Sequence, residues 1–217
     1  MFERLFGSGK PSTLVEAAFR DITTMLQQSA RMLDLSLGAL LDNQELEVDL
    51  EEMDDVVDEG ERMVRRSVLQ HLSVNPSQDL VASLVLVSMV QDAERIGDFA
   101  RGLAEVVALA KSRREGPFAD ELRGLADRIR PLFERCEKAF REDDVDHARQ
   151  VVAAHREIKA DLIRYTRKVA DSDLSADMAV VYGSAARVLR RVSAHLSNIA
   201  SSVVQPFDRI RHGDEEA

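Results

Sequence analysis

Leu50, Met53, Val57, Gly60 and Val64 stand in steps of 3, 4, 3 and 4 residues, and 98 residues later Ala148, Val151, His155, Ile158 and Leu162 repeat those steps. Leu46 extends the first run backwards, and Tyr165 and Val169 extend the second forwards. Alternating steps of three and four keep side chains on one stripe of an α-helix, the seam along which the helices of a bundle interlock. A seam that recurs at a fixed offset belongs to a unit built twice. Tyr165 and Val169 fall opposite Ser67 and His71, so Val68 and Leu72 are expected to take over the packing at the end of the first run.

The punctuation of the chain agrees. Its 217 residues hold only ten Gly and five Pro, too few for a β-sandwich or barrel with a turn every 8–12 residues or about that. Thr13 and Glu16, after Lys10-Pro11-Ser12, have capping-box spacing and predict a first helix over 13–42. A second over 44–73 stops before Asn75-Pro76. Asn75 as N-cap, Pro76 at the first helical position and Gln78 three residues after the cap predict a third over 76–112. Gly116-Pro117 breaks the chain, and three more helices follow over 118–141 (kinked at Pro131), 143–171 and 174–205. The third and sixth superimpose at an offset of 96, which sets Leu80 on Ala176, Leu84 on Val180, Ile96 on Val192 and Leu103 on Ile199. The expected fold is all-α, a tandem duplication of a three-helix bundle with six long antiparallel helices. Residues 1–115 form the first repeat with a short N-terminal tail, and 116–217 the second with an acidic C-terminal tail.

Apolar residues make up 45 % of the chain, enough for a core and against disorder. The net charge of −10 argues against nucleic-acid binding, which needs a basic surface. It is unevenly spread: residues 1–115 carry 12 basic and 21 acidic side chains, the remainder 17 and 18. The lone Cys136 has no partner for an internal disulfide, and the start of the chain lacks the pattern of a signal peptide. The most apolar stretch, 80–90, is interrupted by Ser83 and Ser88 and falls well short of the ~20 residues that cross a bilayer. The expectation is a cytoplasmic protein that meets a membrane only through partners. Phe2, Leu5 and Phe6 read as a tail too short to anchor anything.

The chemistry gathers in the first repeat. Glu94 and Asp98 lie four residues apart on one helix face, as do Asp54 and Asp58 within a run where 10 of the 17 residues 45–61 are acidic. With the second and third helices turning near Pro76, Asp58 and Glu94 each lie 18 residues from the turn, and Asp54 and Asp98 each lie 22. At a common rise per residue, the members of each pair share a height, so four carboxylates are expected to converge. Oxygen ligands alone suit a hard divalent ion or carboxylate-bound iron. The other reading is a solvated acidic face relieved by Arg62, Arg65, Arg95 and Arg101. The second repeat puts Val152, Arg156, Arg190 and Ala194 at the four positions, so any such site is confined to the first. Arg187, Arg190 and Arg191 form a basic stripe on the sixth helix, which either contacts an anion or partner or is simply solvated. His155 is expected to be a core histidine, and Met25, Met32, Met89 and Met178 core filler.

The segment Asp92-Ala93-Glu94-Arg95-Ile96-Gly97-Asp98, followed by Leu103-Ala104-Glu105, resembles the ERIGD-type segment that the PhoU family carries on the third helix of each of its two repeats. The second copy, 190–200, keeps only the trailing Asn198-Ile199-Ala200, so the chain resembles a divergent member with a degraded second motif. The resemblance implies metal ligation at Glu94 and Asp98. It also implies a non-enzymatic regulator of phosphate uptake and phosphate-dependent signalling, whose partners are phosphate transporter components or a sensor histidine kinase. No phosphate-binding loop, dinucleotide fingerprint or nucleophile–base motif is present. A ferritin-like di-metal oxidase would need Glu-x-x-His on two helices, and the residues three before each His are Val68, Asp144, Val152, Val192 and Arg209. The alternative is a structural or oligomerising bundle whose acidic face solubilises it or docks a different membrane-transport partner. Whether the chain forms a homodimer stays open.

Overall fold

In the computed structural model, which describes residues 13–205, the apolar stripes fold into six helices. These are α1 (Thr13–Leu41), α2 (Leu50–Val74), α3 (Leu80–Val107), α4 (Pro117–Arg141), α5 (Val145–Ala170) and α6 (Ala176–Val204), with no strand among the described residues. Each three-helix repeat packs on itself, and α1 against α4 and α3 against α6 join the two. Apolar side chains of both repeats merge into one core. Gln27 Nε2 lies 3.1 Å from Glu137, and Asp34 2.8 Å from Arg130, so α1 and α4 run antiparallel. Asp92 with His195 and Lys111 with Asp177 give α3 and α6 the same relation.

The seams are the buried stripes. Leu50, Val57, Val64 and Val68 on α2, and all seven seam residues from Ala148 to Val169 on α5, are buried, while Leu72 is half-buried against the core. His155 and the four methionines are buried too, His155 Nδ1 lying 3.0 Å from Ser193 Oγ. Burying each such apolar side chain stabilises the bundle by about 1.5–3 kcal/mol before entropy is counted. Two alignments of the repeats need correction in their meaning. Leu80, Leu84 and Val180 match by position yet lie exposed, whereas Ile96, Leu103, Val192 and Ile199 are core.

Three expected helix ends move inwards. α2 starts at Leu50 rather than residue 44, leaving Leu46 outside the helix and exposed. Asn43 takes φ +54°, letting Gln44 N–H close on the Gly38 carbonyl at 3.2 Å, a left-handed helix stop. Asp49 then caps α2 by accepting from Glu51 N–H at 2.8 Å. Asn75 is the C-cap of α2, not the N-cap of α3. Its carbonyl accepts from Gln78 N–H, and the Gln78 carbonyl lies 3.1 Å from His71 Nε2, which holds 75–79 as a turn. α3 ends at Val107 because Lys111 N–H is drawn to the Asp177 carboxylate, 3.0 Å away. The break at Gly116-Pro117 stands, with Gly116 at φ +82° and Pro117 opening α4, which runs on through Pro131. The capping residues before Thr13, the segment with Phe2, Leu5 and Phe6, and the acidic tail at 213–217 lie outside the described residues.

Candidate functional site: carboxylates and arginines on α2 and α3

Gly97 decides how closely α2 approaches α3. A Cβ at that position would stand 3.0 Å from Asp54 Oδ1 and 3.2 Å from Val57 Cγ1. With no side chain there, the α2 carboxylate drops against the α3 backbone and is buried. Ser29 Oγ, on α1, faces the same spot at 3.4 Å and makes no hydrogen bond within the described residues.

In the structure Asp58 and Asp98 lie near enough to act on both Asp54 and Glu94. Burial pushes the Glu94 carboxyl up to about 7, with Asp98, Glu61 and Asp58 adding to the rise and Arg95 opposing it. Burial also raises Asp54 above its ordinary value; Arg101 opposes the shift, while Asp98 and Asp58 reinforce it. Across the α2–α3 hairpin Asp58 thus acts on Glu94, and Asp98 on Asp54.

Two arginines are threaded among these acids. Arg101 donates from Nε to Asp54 Oδ2 at 2.7 Å, and its other nitrogens stand 3.5 Å from Glu51, 3.5 Å from Glu105 and 3.6 Å from Asp98. Arg95 donates to Asp98 at 3.0 Å and reaches Glu94 at 3.5 Å. Arg62 and Arg65 pair with Glu59 and Glu61 further along α2. A metal expected at Glu94, Asp98, Asp54 and Asp58 meets a donor set arranged differently. Among the described residues no three His, Cys, Asp or Glu side chains are grouped to hold an ion. The arrangement holds a guanidinium, and burial lets Glu94 keep its proton well above the ordinary carboxylate range, up to about pH 7.

Arg187, Arg190 and Arg191 make no ion pair among the described residues. Arg191 instead lays its guanidinium 5.8 Å from the centroid of the Phe99 ring on α3. Sequence reasoning missed the residues beneath it. The buried Asp92 carboxylate accepts from His195 Nδ1 at 2.7 Å and Asn198 Nδ2 at 3.1 Å, and Phe99 stacks on the His195 ring. The available signal was Asn198, the polar residue of the second motif's surviving Asn-Ile-Ala. Arg114 was missed as well. It donates to the Ala39 and Leu40 carbonyls at 2.6 and 3.1 Å, satisfying the open end of α1.

Residues 22–107, which span most of α1 and all of α2 and α3, match the family model "PhoU domain". The chain is 27 % identical over 201 residues to the phosphate-specific transport system accessory protein PhoU homolog 1 of Thermotoga maritima, covering 85 % of this chain and 86 % of that one. The fold resembles the crystal structure of the phosphate transport system regulatory protein PhoU from Streptococcus pneumoniae. There the TM-score is 0.79 at 16 % identity, covering 94 % of this chain and 97 % of that one. It equally resembles PhoU from Pseudomonas aeruginosa, with TM-score 0.80 at 21 % identity and coverage of 88 % and 95 %. Residues 22–107 thus carry a PhoU domain, the chain is similar to a PhoU relative along both halves, and its six-helix fold is that of the solved PhoU structures.

Proposed function

We propose that this chain is a non-enzymatic regulator of phosphate transport that works in the cytoplasm by binding other proteins, either phosphate transporter components or a sensor kinase. The observation that carries the reading is the PhoU-domain match over 22–107, which contains the whole carboxylate and arginine face. The Thermotoga relative is named as an accessory protein of a transport system, and a role exerted through partners suits a surface of charged helix faces. In this reading the cation held by Asp54 and Asp98 is the Arg101 guanidinium, and a metal ion enters only where that side chain swings away. No helix among the described residues is long and apolar enough to cross a membrane, so contact with a transporter is peripheral. Deletion of the gene should change phosphate uptake in phosphate-replete cells, and tagged protein should co-purify with transporter or kinase components. Unchanged uptake together with recovery of neither partner rejects the proposal.

A further inference from the structure

Val48, Met53 and Val56 line a groove of about 460 Å³ between α1 and the start of α2, to which α3 contributes no lining residue. Val48 is 40 % and Val56 52 % exposed, and Met63, seven residues beyond Val56 on the same face, is 49 % exposed. Leaving a row of large apolar side chains in water is unfavourable, and continuous rows of this kind mark contact surfaces. The fold does not require it: 98 residues on, Val48, Val56 and Met63 become Asp146, Ala154 and Asp161. The apolar strip belongs to the first repeat alone.

Its borders are charged in a definite sense. Glu47 and Glu52 stand on the α2 side, joined by Asp49, whose carboxylate caps the helix. Neither Glu47 nor Glu52 has a cation partner among the described residues, and Glu45 and Asp55 flank them in the run where 10 of 17 residues are acidic. On the α1 side Gln28 and Arg31 supply N–H donors, and Arg31 too has no ion pair among the described residues. A groove between two helices accepts a third helix by ridge-and-groove packing, and the described residues offer no sheet edge to an extended strand. Unpaired carboxylates along one wall select basic side chains, whereas nucleic acid and anionic lipid are repelled.

We infer that this groove docks an amphipathic helix of a partner protein, with apolar residues at helical spacing over Val48, Met53 and Val56 and Lys or Arg facing Glu47 and Glu52. Arg31 and Gln28 meet the carbonyl groups or an acidic side chain on the helix's other edge. This gives a chemistry to the partner of the proposed regulator, on which reading it rests.

The test is fluorescence anisotropy of the full chain with a synthetic Lys/Leu amphipathic helix, its Glu/Leu counterpart, and a Lys/Ser peptide that lacks the apolar face. The Lys/Leu helix should bind and the other two should not. Val56→Gln, and Glu47→Lys with Glu52→Lys, should each weaken binding about tenfold. The remote pair Glu134→Lys with Glu157→Lys, which changes the net charge equally, should leave binding within about twofold. Circular dichroism checks that each variant keeps its helices. Equal weakening by the remote pair, equal binding of the Glu/Leu helix, or unaltered binding in Val56→Gln overturns the inference. So does a shift of Val56→Gln from dimer to monomer without loss of peptide binding, which assigns the strip to a second copy of this chain. Failure of the proposed regulatory role has a separate signature, unchanged phosphate uptake on deletion; if deletion alters uptake and the groove variants restore normal control, the groove falls and the role stands.

Discussion

His195 Nδ1 lies 2.7 Å from Oδ1 of Asp92, so the sixth helix donates its ring proton to a carboxylate that is only 3 % exposed on the third. Asn198 Nδ2 donates to the same oxygen from one turn further along α6, at 3.1 Å. The pair joins the two repeats where α3 buries a carboxylate and α6 meets it with two half-buried donors. Asp92→Ala should therefore destabilise the chain by roughly 1–3 kcal/mol, because two half-buried donors lose an acceptor that sits in the core. Urea unfolding of Asp92→Ala, His195→Ala and the double variant reads this directly. The double variant should fall well short of the sum of the singles.

The two open-looking glycines of α3 should respond with opposite signs. Gly97→Ala puts a methyl group 3.0 Å from Asp54 Oδ1 and 3.2 Å from Val57 Cγ1, so α2 must shift outwards. That should cost about 1–3 kcal/mol and outweigh the gain in helix propensity, about 1 kcal/mol. A Cβ on Gly102 meets nothing within 4 Å, so Gly102→Ala should stabilise the chain by about 0.5–1 kcal/mol. Thermal melts of the two variants side by side decide it. A stabilised Gly97→Ala would show that α2 does not press on α3 there.

What the sequence disclosed follows from the range of the forces involved. The seams from Leu50 to Val64 and from Ala148 to Val169, the break at Gly116-Pro117 and the shared heights of Asp58 with Glu94 and Asp54 with Asp98 all depend on helical period and rise, which are local. The ends of α2 and α3 were misjudged where a residue at a distance decides. Asn75-Pro76 has the pattern of a helix start, yet His71 fastens the Gln78 carbonyl and holds a turn there. Asn43 stops α1 through a positive φ that its amide tolerates and its letter does not announce. Arg101 was visible as a counter-charge, but not as the residue seated among Asp54, Glu51, Asp98 and Glu105, since that depends on where a long side chain turns. Asp92 and His195 stand 103 residues apart on helices whose register only the packed core sets.

Glu94 makes stability depend on pH in an unusual direction. Its folded pKa, pushed up to about 7 by burial and then by Asp98, lies above the ordinary 4.5. Between those two values the native chain binds more protons than the unfolded one, so this residue's contribution is present at low pH and is lost as pH rises towards 7. Glu94→Gln, which keeps the shape and removes the charge, should raise the urea midpoint at pH 8 relative to the parent and change it little at pH 4.5. A carboxyl carbon titration of Glu94 by NMR should place its midpoint near neutrality. A midpoint in the ordinary carboxylate range would remove the effect.

Arg101→Met tests whether the guanidinium is what the carboxylate face holds. The substitution keeps the apolar stem and removes the charge that stands 2.7 Å from Asp54 and between 3.5 and 3.6 Å from Glu51, Glu105 and Asp98. Arg101 holds the Asp54 carboxyl down against burial. Its loss lets Asp54 rise further above its unfolded value, so the defect should grow as pH rises from 5 to 8. Because the group is partly exposed, the expected loss at pH 8 and low salt is only about 1–3 kcal/mol, and sodium chloride should lessen it. With the guanidinium gone, carboxylates of the face become ligands for a hard cation. Millimolar calcium or manganese should then raise the melting temperature of Arg101→Met by binding the folded state, and leave the parent chain almost unmoved. An equal rise in both proteins would mean that an ion reaches the carboxylates without displacing Arg101. No rise in either would mean that the face serves charge pairing alone.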